Sequence, residues 1–175
     1  DQQFVEWKAL SSYCSEIIAN IQDSYYAKSF EAFCQAKAGQ LSIAREVIED
    51  AVARAPRNPL VQSIFAYVLL KQGLKVEASV ALGSARKNNS KNEYTLPHVM
   101  QANFCAQNRE WDCAEKEWTM VLEKHLDDVA ALTGLSRAYF NLGVESRALN
   151  YLNKAKALTE DYIPLKVLEA ELGSR

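Results

Sequence analysis

The chain is poor in the residues that interrupt helices. Its 175 residues include six glycines and four prolines, while 49% of the residues are hydrophobic. That composition excludes a disordered chain, because disordered chains lack the apolar side chains needed to form a core. No stretch has the composition of a linker, and the length is that of one domain. We therefore expect a single domain over residues 1–175.

An excess of one charge and long apolar runs are also missing. The formal net charge is −2, and lysines and arginines are scattered along the sequence. Nucleic acid is therefore not expected as a partner, because phosphate binding needs concentrated positive charge. No apolar run approaches the roughly 18 residues of a membrane span. The sequence starts at Asp1 without methionine, as a processed or trimmed chain does, and whether a signal peptide or lipid anchor preceded it stays open.

The sequence has no arrangement of residues typical of catalysis. Its two histidines, His98 and His125, fall at a helix start and a helix end in the pattern described below. Neither has a serine or cysteine positioned for activation, so both are expected on the surface. A glycine-rich phosphate loop, a His-Glu-x-x-His motif and an EF-hand loop are all missing. We expect no enzyme activity, no cofactor and no metal.

What the sequence does contain is an internal repeat. Spacings of 34, 36 and 34 residues separate four alanines: Ala44, Ala78, Ala114 and Ala148. Twelve residues before them come four small residues: Ala32, Ala66, Ala102 and Ser136. Four residues after them come four bulky ones: Ile48, Leu82, Trp118 and Leu152. The pattern is typical of two antiparallel helices per repeat, with small residues where the helix axes come closest.

Glycines mark the expected end of the first helix in three repeats. Gly39, Gly73 and Gly143 lie five residues before their alanines, and Arg109 takes this place in the third repeat. In this spacing the sequence resembles the tetratricopeptide repeat (TPR) over about residues 25–160. The resemblance implies an all-α fold, a right-handed superhelix of about four helical hairpins. The expected segments are an N-terminal helix at 3–23, repeats at 25–58, 59–92, 95–128 and 129–160, and a capping helix at 161–173.

The four cysteines form two pairs, each centred on an expected turn. Cys14 and Cys34 are symmetric about Ser24, and Cys105 and Cys113 are symmetric about the residue that replaces the glycine. Residues equidistant from the turn of a helical hairpin face each other, so we expect two disulfides. Four reduced cysteines in the core and a zinc site are the alternatives, although Cys-x-x-Cys is missing. Disulfides indicate an oxidising compartment, such as the periplasm or the cell exterior.

Without catalysis, the function is expected on a surface. The first helix of each stacked hairpin lines the concave groove, and positions 2, 5, 9, 12 and 13 of each repeat are expected to face it. The expected partner-binding residues are Tyr26, Phe33, Lys37, Tyr67, Lys71, Asn103, Gln107, Arg137, Phe140 and Asn141. Position 5 adds Ser29, Ser63, Val99 and Thr133. Exposed aromatic side chains beside hydrogen-bonding groups are typical of a peptide or helix groove. The alternative is that an end helix covers them.

We therefore expect a non-enzymatic interaction scaffold or adaptor that binds a protein or peptide segment. Some TPR proteins clamp two carboxylates with Lys and Asn at positions 5 and 9 of the first repeat; Ser29 and Phe33 stand there, so that activity is not expected. In its size and its expected disulfides, the chain resembles the pilotin-like and tight-adherence lipoproteins that assemble bacterial pili and secretins. This resemblance implies a periplasmic, outer-membrane-anchored assembly factor. The alternative is a cytoplasmic chaperone of the type III secretion translocator class, which reduced cysteines would favour. The oligomeric state is not specified.

Overall fold

The described part of the protein is helical. In the computed structural model, residues 24–159 and 161–173 are described, and they contain helices and no strands. The helices in sequence order are α1 (Tyr25–Lys37), α2 (Leu41–Arg54), α3 (Pro59–Lys71), α4 (Lys75–Asn88), α5 (Leu96–Gln107), α6 (Trp111–Leu122), α7 (Val129–Asn141), α8 (Glu145–Leu158) and α9 (Ile163–Gly173). The all-α prediction is confirmed. The helix expected over residues 3–23 lies outside the described residues.

Consecutive helices pack in pairs: α1 with α2, α3 with α4, and α7 with α8. A disulfide joins α5 to the start of α6. The protein divides into two compact units, an N-terminal unit up to Pro97 and a C-terminal unit from His98. In the N-terminal unit α3 also packs against α1 and α2, and in the C-terminal unit α7 packs against α6 and α9. None of the described helices combines the length and the apolar character that crossing a membrane requires.

Polar side chains begin the first helix of three pairs. Ser24, Asn58 and Asp128 each accept backbone N–H hydrogen bonds from the first turn of α1, α3 and α7, at distances of 2.8–3.2 Å. Pro59 occupies the first helical position of α3, where its missing N–H is not needed. These caps fix where the first helices begin, in the places that the repeat pattern predicts.

The turn inside each pair needs a residue with positive φ. Gly39, Gly73 and Gly143 have φ values of 79°, 81° and 78°. Arg109, at the same repeat position, has φ 61°. This backbone region costs a residue with a Cβ atom about 1–2 kcal/mol. The repeat register therefore locates a backbone requirement even where glycine is missing.

The repeating small residues lie at the centres of the helix pairs. Positions are counted from the first residue of each repeat, so the four alanines that define the spacing are at position 20 and the four small residues twelve places earlier are at position 8. The alanines are at most 1% exposed, and the residues at position 8 are fully buried. Ser136 tolerates this burial because its Oγ donates a hydrogen bond to the backbone oxygen of Ala148, at 2.8 Å. The bulky residues at position 24 are also buried. The structure therefore confirms the prediction that the paired helices come close together at the small residues.

A glycine inside α7 is explained by a close tryptophan. The indole of Trp118, on α6, packs directly against Gly134. A Cβ atom added to Gly134 would lie 2.3 Å from the indole Nε1, which is closer than real contacts allow. Glycine lowers helix stability by about 1 kcal/mol relative to alanine. Here the missing Cβ atom leaves room for Trp118, the largest buried side chain of the third repeat.

The surface position predicted for His98 is wrong. His98 is 8% exposed, and its Nδ1 lies 2.7 Å from Oε2 of Glu117, which is 3% exposed. The contact joins the first turn of α5 to α6, so each buried polar group satisfies the other. His125 is exposed, as predicted. The histidine–glutamate pair is therefore part of the interior of the C-terminal unit.

Candidate partner-binding site

Four of the expected groove residues meet in the N-terminal unit. We call them the aromatic–lysine cluster: Phe33 and Lys37 on α1, and Tyr67 and Lys71 on α3. The ring centroids of Phe33 and Tyr67 are 5.1 Å apart. Lys37 Nζ lies 5.4 Å from the Phe33 centroid and 5.5 Å from the Tyr67 centroid, and Lys71 Nζ lies 5.6 Å from the Tyr67 centroid. Both ammonium groups are therefore within cation–π distance of the shared aromatic surface.

The repeat itself assembles this cluster. Within each helix the aromatic residue and the lysine are four residues apart, so they lie on the same face of the helix. The two aromatics occupy position 9 of their repeats and the two lysines occupy position 13. Because α1 packs against α3, equal positions in the two repeats come side by side. The cluster therefore forms because the repeat spacing places equal positions of two neighbouring repeats side by side.

The ammonium group of Lys37 is destabilised where it lies. Burial, and to a lesser extent the positive charge of Lys71, lower the pKa of Lys37 below its ordinary value of 10.5. Both effects raise the free energy of the charged form. An anionic group placed beside the two lysines would offset both effects. The cluster is suited to a carboxylate.

Tyr67 contributes its ring, rather than its hydroxyl, to the aromatic–lysine cluster. Burial raises the pKa of Tyr67 to about 12. Its hydroxyl oxygen is buried and has no hydrogen-bond partner within the described part of the protein. Phe33 and Tyr67 are each partly buried and pack against the core of the N-terminal unit, so they are less exposed than position 9 leads us to expect. The same is true of Phe140 in the C-terminal unit.

Tyr26 and Phe30 on α1 lie outside the cluster and are exposed. Tyr26, an expected groove residue, is 43% exposed, and its hydroxyl accepts a hydrogen bond from Asn58 Nδ2 at 3.1 Å. Hydrogen bonds from Tyr25 and then Asn58 lower the pKa of Tyr26. Phe30, which sequence reasoning missed, is 53% exposed. Its position 6 is not an expected groove position, and in α3 the same position is Ile64, which is 8% exposed.

In the C-terminal unit the expected groove residues bond mainly within the protein itself. Arg137 Nη2 donates to Glu171 Oε2 of α9 at 3.1 Å. The side-chain amides of Asn103 and Asn141 donate to backbone oxygens four residues earlier in their own helices, at 2.9 and 2.8 Å. Gln107 is exposed. An end helix therefore binds the arginine of this set.

The groove-facing role expected for position 5 is wrong in three repeats. Ser29, Ser63 and Thr133 are 2%, 0% and 5% exposed. Each hydroxyl donates to the backbone oxygen four residues earlier, at 2.7 Å. This local bond satisfies the hydroxyl and allows it to be buried. Position 5 therefore belongs to the packing between helices.

One of the two expected disulfides lies within the described residues. Cys105 and Cys113 are bonded, with their Cα atoms 5.8 Å apart, and this prediction is confirmed. The carboxylate of Glu110 lies near them, and the three donor atoms are within 4.8 Å of one another. The disulfide leaves no thiolate there to bind a metal. Cys34 is buried, but Cys14 lies outside the described residues, so their pairing stays a prediction.

Solved structures resemble this protein, whereas no protein-family model and no curated protein matches it. TTC0263, a TPR protein of Thermus thermophilus, superposes with a TM-score of 0.76 at 21% identity, covering 94% of this chain and 89% of its own. YrrB, a TPR protein with an unusual peptide-binding site, gives 0.65 at 17% identity, covering 94% and 84%. A TPR protein of Parabacteroides merdae gives 0.69 at 13% identity, covering 95% and 64%.

The fold is that of TPR proteins. At these identities the similarity concerns the fold alone. It agrees with the helix pairs, the buried small residues and the positive-φ turns described above. The choice of partner has to be argued from the side chains of this protein.

Proposed function

We propose that this protein is a non-enzymatic scaffold that binds a protein or peptide segment, with the aromatic–lysine cluster as its anchor in the N-terminal unit. The observation that carries the proposal is a pair of ammonium groups over a shared aromatic surface, one of them partly desolvated. The TPR fold supports the class of function, and so does the peptide-binding site of the structural neighbour YrrB.

The chemistry of the cluster specifies the segment. A carboxylate, from Asp, Glu or the C-terminus of a polypeptide, reduces the repulsion between Lys37 and Lys71 and forms charge-assisted hydrogen bonds with them. An apolar side chain beside that carboxylate contacts the rings of Phe33 and Tyr67, as aromatic anchors do at interfaces. The proposed ligand is thus a segment with an apolar residue next to an acidic one.

A set of matched peptides tests this specificity. Labelled peptides of equal length, each with one leucine or phenylalanine beside an acidic residue, are compared with versions in which Asn or Gln replaces the acid. Fluorescence anisotropy measures the dissociation constants. The acidic peptides should bind about tenfold more tightly, a difference of about 1.4 kcal/mol. Equal binding of acid and amide forms would show that the lysines do not recognise a carboxylate.

Lys71→Glu and Lys91→Glu form the matched pair of protein variants. Both reverse one exposed charge, but only Lys71 belongs to the cluster. Lys71→Glu should remove the preference for acidic peptides, while Lys91→Glu should leave it unchanged. If both variants weaken binding equally, net charge rather than the cluster attracts the peptide.

The proposed partner is a component of a bacterial envelope machine, a pilus or a secretion system, and the proposed compartment is the periplasm, with outer-membrane anchorage. Support comes from the Cys105–Cys113 disulfide, because stable disulfides form in oxidising compartments. The second candidate, a cytoplasmic chaperone of the type III secretion translocator class, requires reduced cysteines. Maleimide labelling of the denatured, unreduced protein from cells should leave Cys105 and Cys113 unlabelled. Labelling of both would favour the cytoplasm.

A further inference from the structure

Three metal-ligating side chains lie together at the turn of the third repeat. Sγ of Cys105, Sγ of Cys113 and a carboxylate oxygen of Glu110 are all within 4.8 Å of one another. Zn²⁺ binds thiolates and carboxylates at about 2.0–2.3 Å, so its ligand atoms lie roughly 3.5–4 Å apart. The three side chains are therefore close enough to bind one ion when the two sulfurs are not bonded to each other.

The turn itself, and not only the disulfide, keeps these residues together. Cys105, Glu110 and Cys113 are at positions 11, 16 and 19 of the repeat. The N–H of position 16 donates to the backbone oxygen of position 11 at 2.9 Å in all four repeats. In the fourth repeat, which contains no cysteine, positions 11 and 19 also meet, because Arg147 Nη1 donates to the hydroxyl of Tyr139 at 3.3 Å. Reduction of the disulfide should therefore leave the two thiols side by side.

The combination of two cysteines and a carboxylate is specific to the third repeat. None of the other three repeats has a cysteine at position 11 or 19, or a carboxylate at position 16. Their residues at positions 11, 16 and 19 are Gln35, Gln40 and Ile43 in the first, Leu69, Leu74 and Glu77 in the second, and Tyr139, Val144 and Arg147 in the fourth. The TPR packing therefore does not require this set of ligands.

The surroundings of the two sulfurs suit a metal-bound thiolate pair. Cys105 is 0% exposed, Cys113 is partly buried and Glu110 is exposed, so an ion can enter from the side of the carboxylate. A water molecule on that side can complete the four ligands of Zn²⁺. Gln101 Nε2 lies 3.3 Å from Sγ of Cys105 and 4.0 Å from Sγ of Cys113. Its amide is placed to donate to the sulfurs, as groups behind metal ligands do.

We propose that reduction of this disulfide creates a zinc site with Cys105, Cys113 and Glu110 as its ligands. A dithiol reductant gives two electrons and two protons to the sulfurs and becomes a disulfide itself. Binding of Zn²⁺ then releases the two thiol protons to water and leaves two thiolates on the metal. Thiolates combined with a carboxylate and water favour Zn²⁺ over Cu⁺, which prefers sulfur ligands.

The same cysteine pair is then a covalent bridge under oxidising conditions and a metal site under reducing conditions. The proposal is independent of the aromatic–lysine cluster, which lies in the N-terminal unit. Loss of peptide binding would therefore leave the zinc site unaffected, and loss of the zinc site would leave peptide binding unaffected.

Co²⁺ is the first probe, because thiolate–cobalt bonds absorb in the near ultraviolet whereas Zn²⁺ has no spectrum of its own. The full-length protein is reduced with a dithiol, freed of reductant without air and mixed with one equivalent of Co²⁺. The thiolate band should appear, and added Zn²⁺ should remove it. The band should be missing in the unreduced protein and in reduced Cys113→Ser, but present in reduced Cys34→Ser. Circular dichroism checks that each variant is folded. A band that Cys113→Ser does not weaken contradicts the proposal, as does no band in the wild type.

Glu110→Gln and Asp112→Asn test the carboxylate ligand. Both residues are exposed acids at this turn, but only Glu110 belongs to the proposed site. Competition with a coloured chelator measures the Zn²⁺ dissociation constant of each reduced variant. Glu110→Gln should weaken binding about tenfold or more, because even groups behind the ligands contribute about 10–100-fold. Asp112→Asn should bind like reduced wild type. Equal dissociation constants for the two variants would remove the carboxylate from the site.

Thermal melts test the site without a spectroscopic probe. An ion that binds only the folded protein stabilises it, so Zn²⁺ should raise the melting temperature of the reduced protein. It should not raise that of the unreduced protein or of reduced Cys113→Ser. A rise of equal size in the unreduced protein would show that Zn²⁺ binds elsewhere, and it would contradict the proposal.

Discussion

The two units of the protein use their expected groove residues differently. In the N-terminal unit, Lys37 and Lys71 lie against the rings of Phe33 and Tyr67, and burial and mutual repulsion lower the pKa of Lys37. In the C-terminal unit, Arg137 is paired with Glu171 of α9. In the C-terminal unit the cation forms an ion pair with a carboxylate of the protein, whereas in the N-terminal unit the two lysines contact aromatic rings. Position 9 is aromatic in both repeats of the N-terminal unit but is Arg137 in the fourth repeat. The side chains at equal register positions therefore decide whether a site is prepared for an acidic partner.

The largest expected difference between the units comes from two helical glycines. Gly134→Ala in the C-terminal unit should lower the free energy of unfolding by about 1–3 kcal/mol, because the added Cβ meets the indole of Trp118. Gly83→Ala in the N-terminal unit should raise it by about 0.5–1 kcal/mol, because no described atom beyond its chain neighbours and the backbone of its own helix lies within 4 Å of the added Cβ. Chemical denaturation measures both. Effects of the same sign would mean that Trp118 is not what requires Gly134.

The second expected effect concerns the turn of the third repeat. Arg109→Gly should raise the free energy of unfolding by about 1 kcal/mol, because glycine adopts the φ of 61° without a Cβ penalty. Gly73→Ala, at the same position in the N-terminal unit, should lower the free energy of unfolding by a similar amount. Thermal melts of the two variants give the comparison. A destabilising Arg109→Gly would show that the arginine side chain, rather than the backbone, matters at this turn.

A third prediction concerns two tyrosine hydroxyls. Tyr67→Phe removes a buried hydroxyl that has no hydrogen-bond partner among the described residues, so stability should rise by about 1 kcal/mol. Tyr139→Phe removes a hydroxyl that donates to Glu115 Oε1 at 2.7 Å, so stability should fall by about the same amount. Urea denaturation distinguishes the two outcomes. A loss of stability in Tyr67→Phe would mean that its hydroxyl has a structural role.

The smallest expected effect is a shift in the titration of Lys37. Because the folded pKa lies below the ordinary 10.5, the folded protein releases this proton first, and the free energy of unfolding rises with pH between the two values. Lys71→Met removes the nearby positive charge, which is the smaller of the two causes. The pKa of Lys37 should therefore move part of the way back towards 10.5. An NMR titration of the lysine side chains measures this shift. An unchanged pKa of Lys37 would show that the charge of Lys71 does not act on it.

The fold could be predicted from the sequence because its requirements recur at fixed intervals. A small residue at positions 8 and 20 and a positive φ at position 15 are backbone requirements, so even Ser136 and Arg109 could be assigned from register. The four residues of the aromatic–lysine cluster are among the groove positions that the same register predicts, whereas their contact with one another is known only from the structure. The degree of burial of Phe33 and Tyr67 does not follow from the register, because it depends on how closely α1 and α3 pack.

Other features depend on pairs of side chains that no period encodes. His98 and Glu117 are 19 residues apart on different helices, and their contact depends on the rotation of α5 against α6. The burial of Ser63 depends on a local bond to the backbone that the spacing of apolar residues does not reveal. The pairing of Arg137 with Glu171 depends on an end helix whose sequence lies outside the four predicted repeats.

The most direct test compares charge reversal at the two cations that distinguish the units. The acidic peptide of highest affinity in the matched set is titrated into wild type, Lys71→Glu and Arg137→Glu, and calorimetry measures each dissociation constant. Lys71→Glu should weaken binding at least about tenfold, or about 1.4 kcal/mol, whereas Arg137→Glu should change it less than about twofold because Arg137 already has Glu171 as its partner. A large loss in Arg137→Glu together with an unchanged Lys71→Glu would place the acidic segment in the C-terminal unit and contradict the role of the aromatic–lysine cluster.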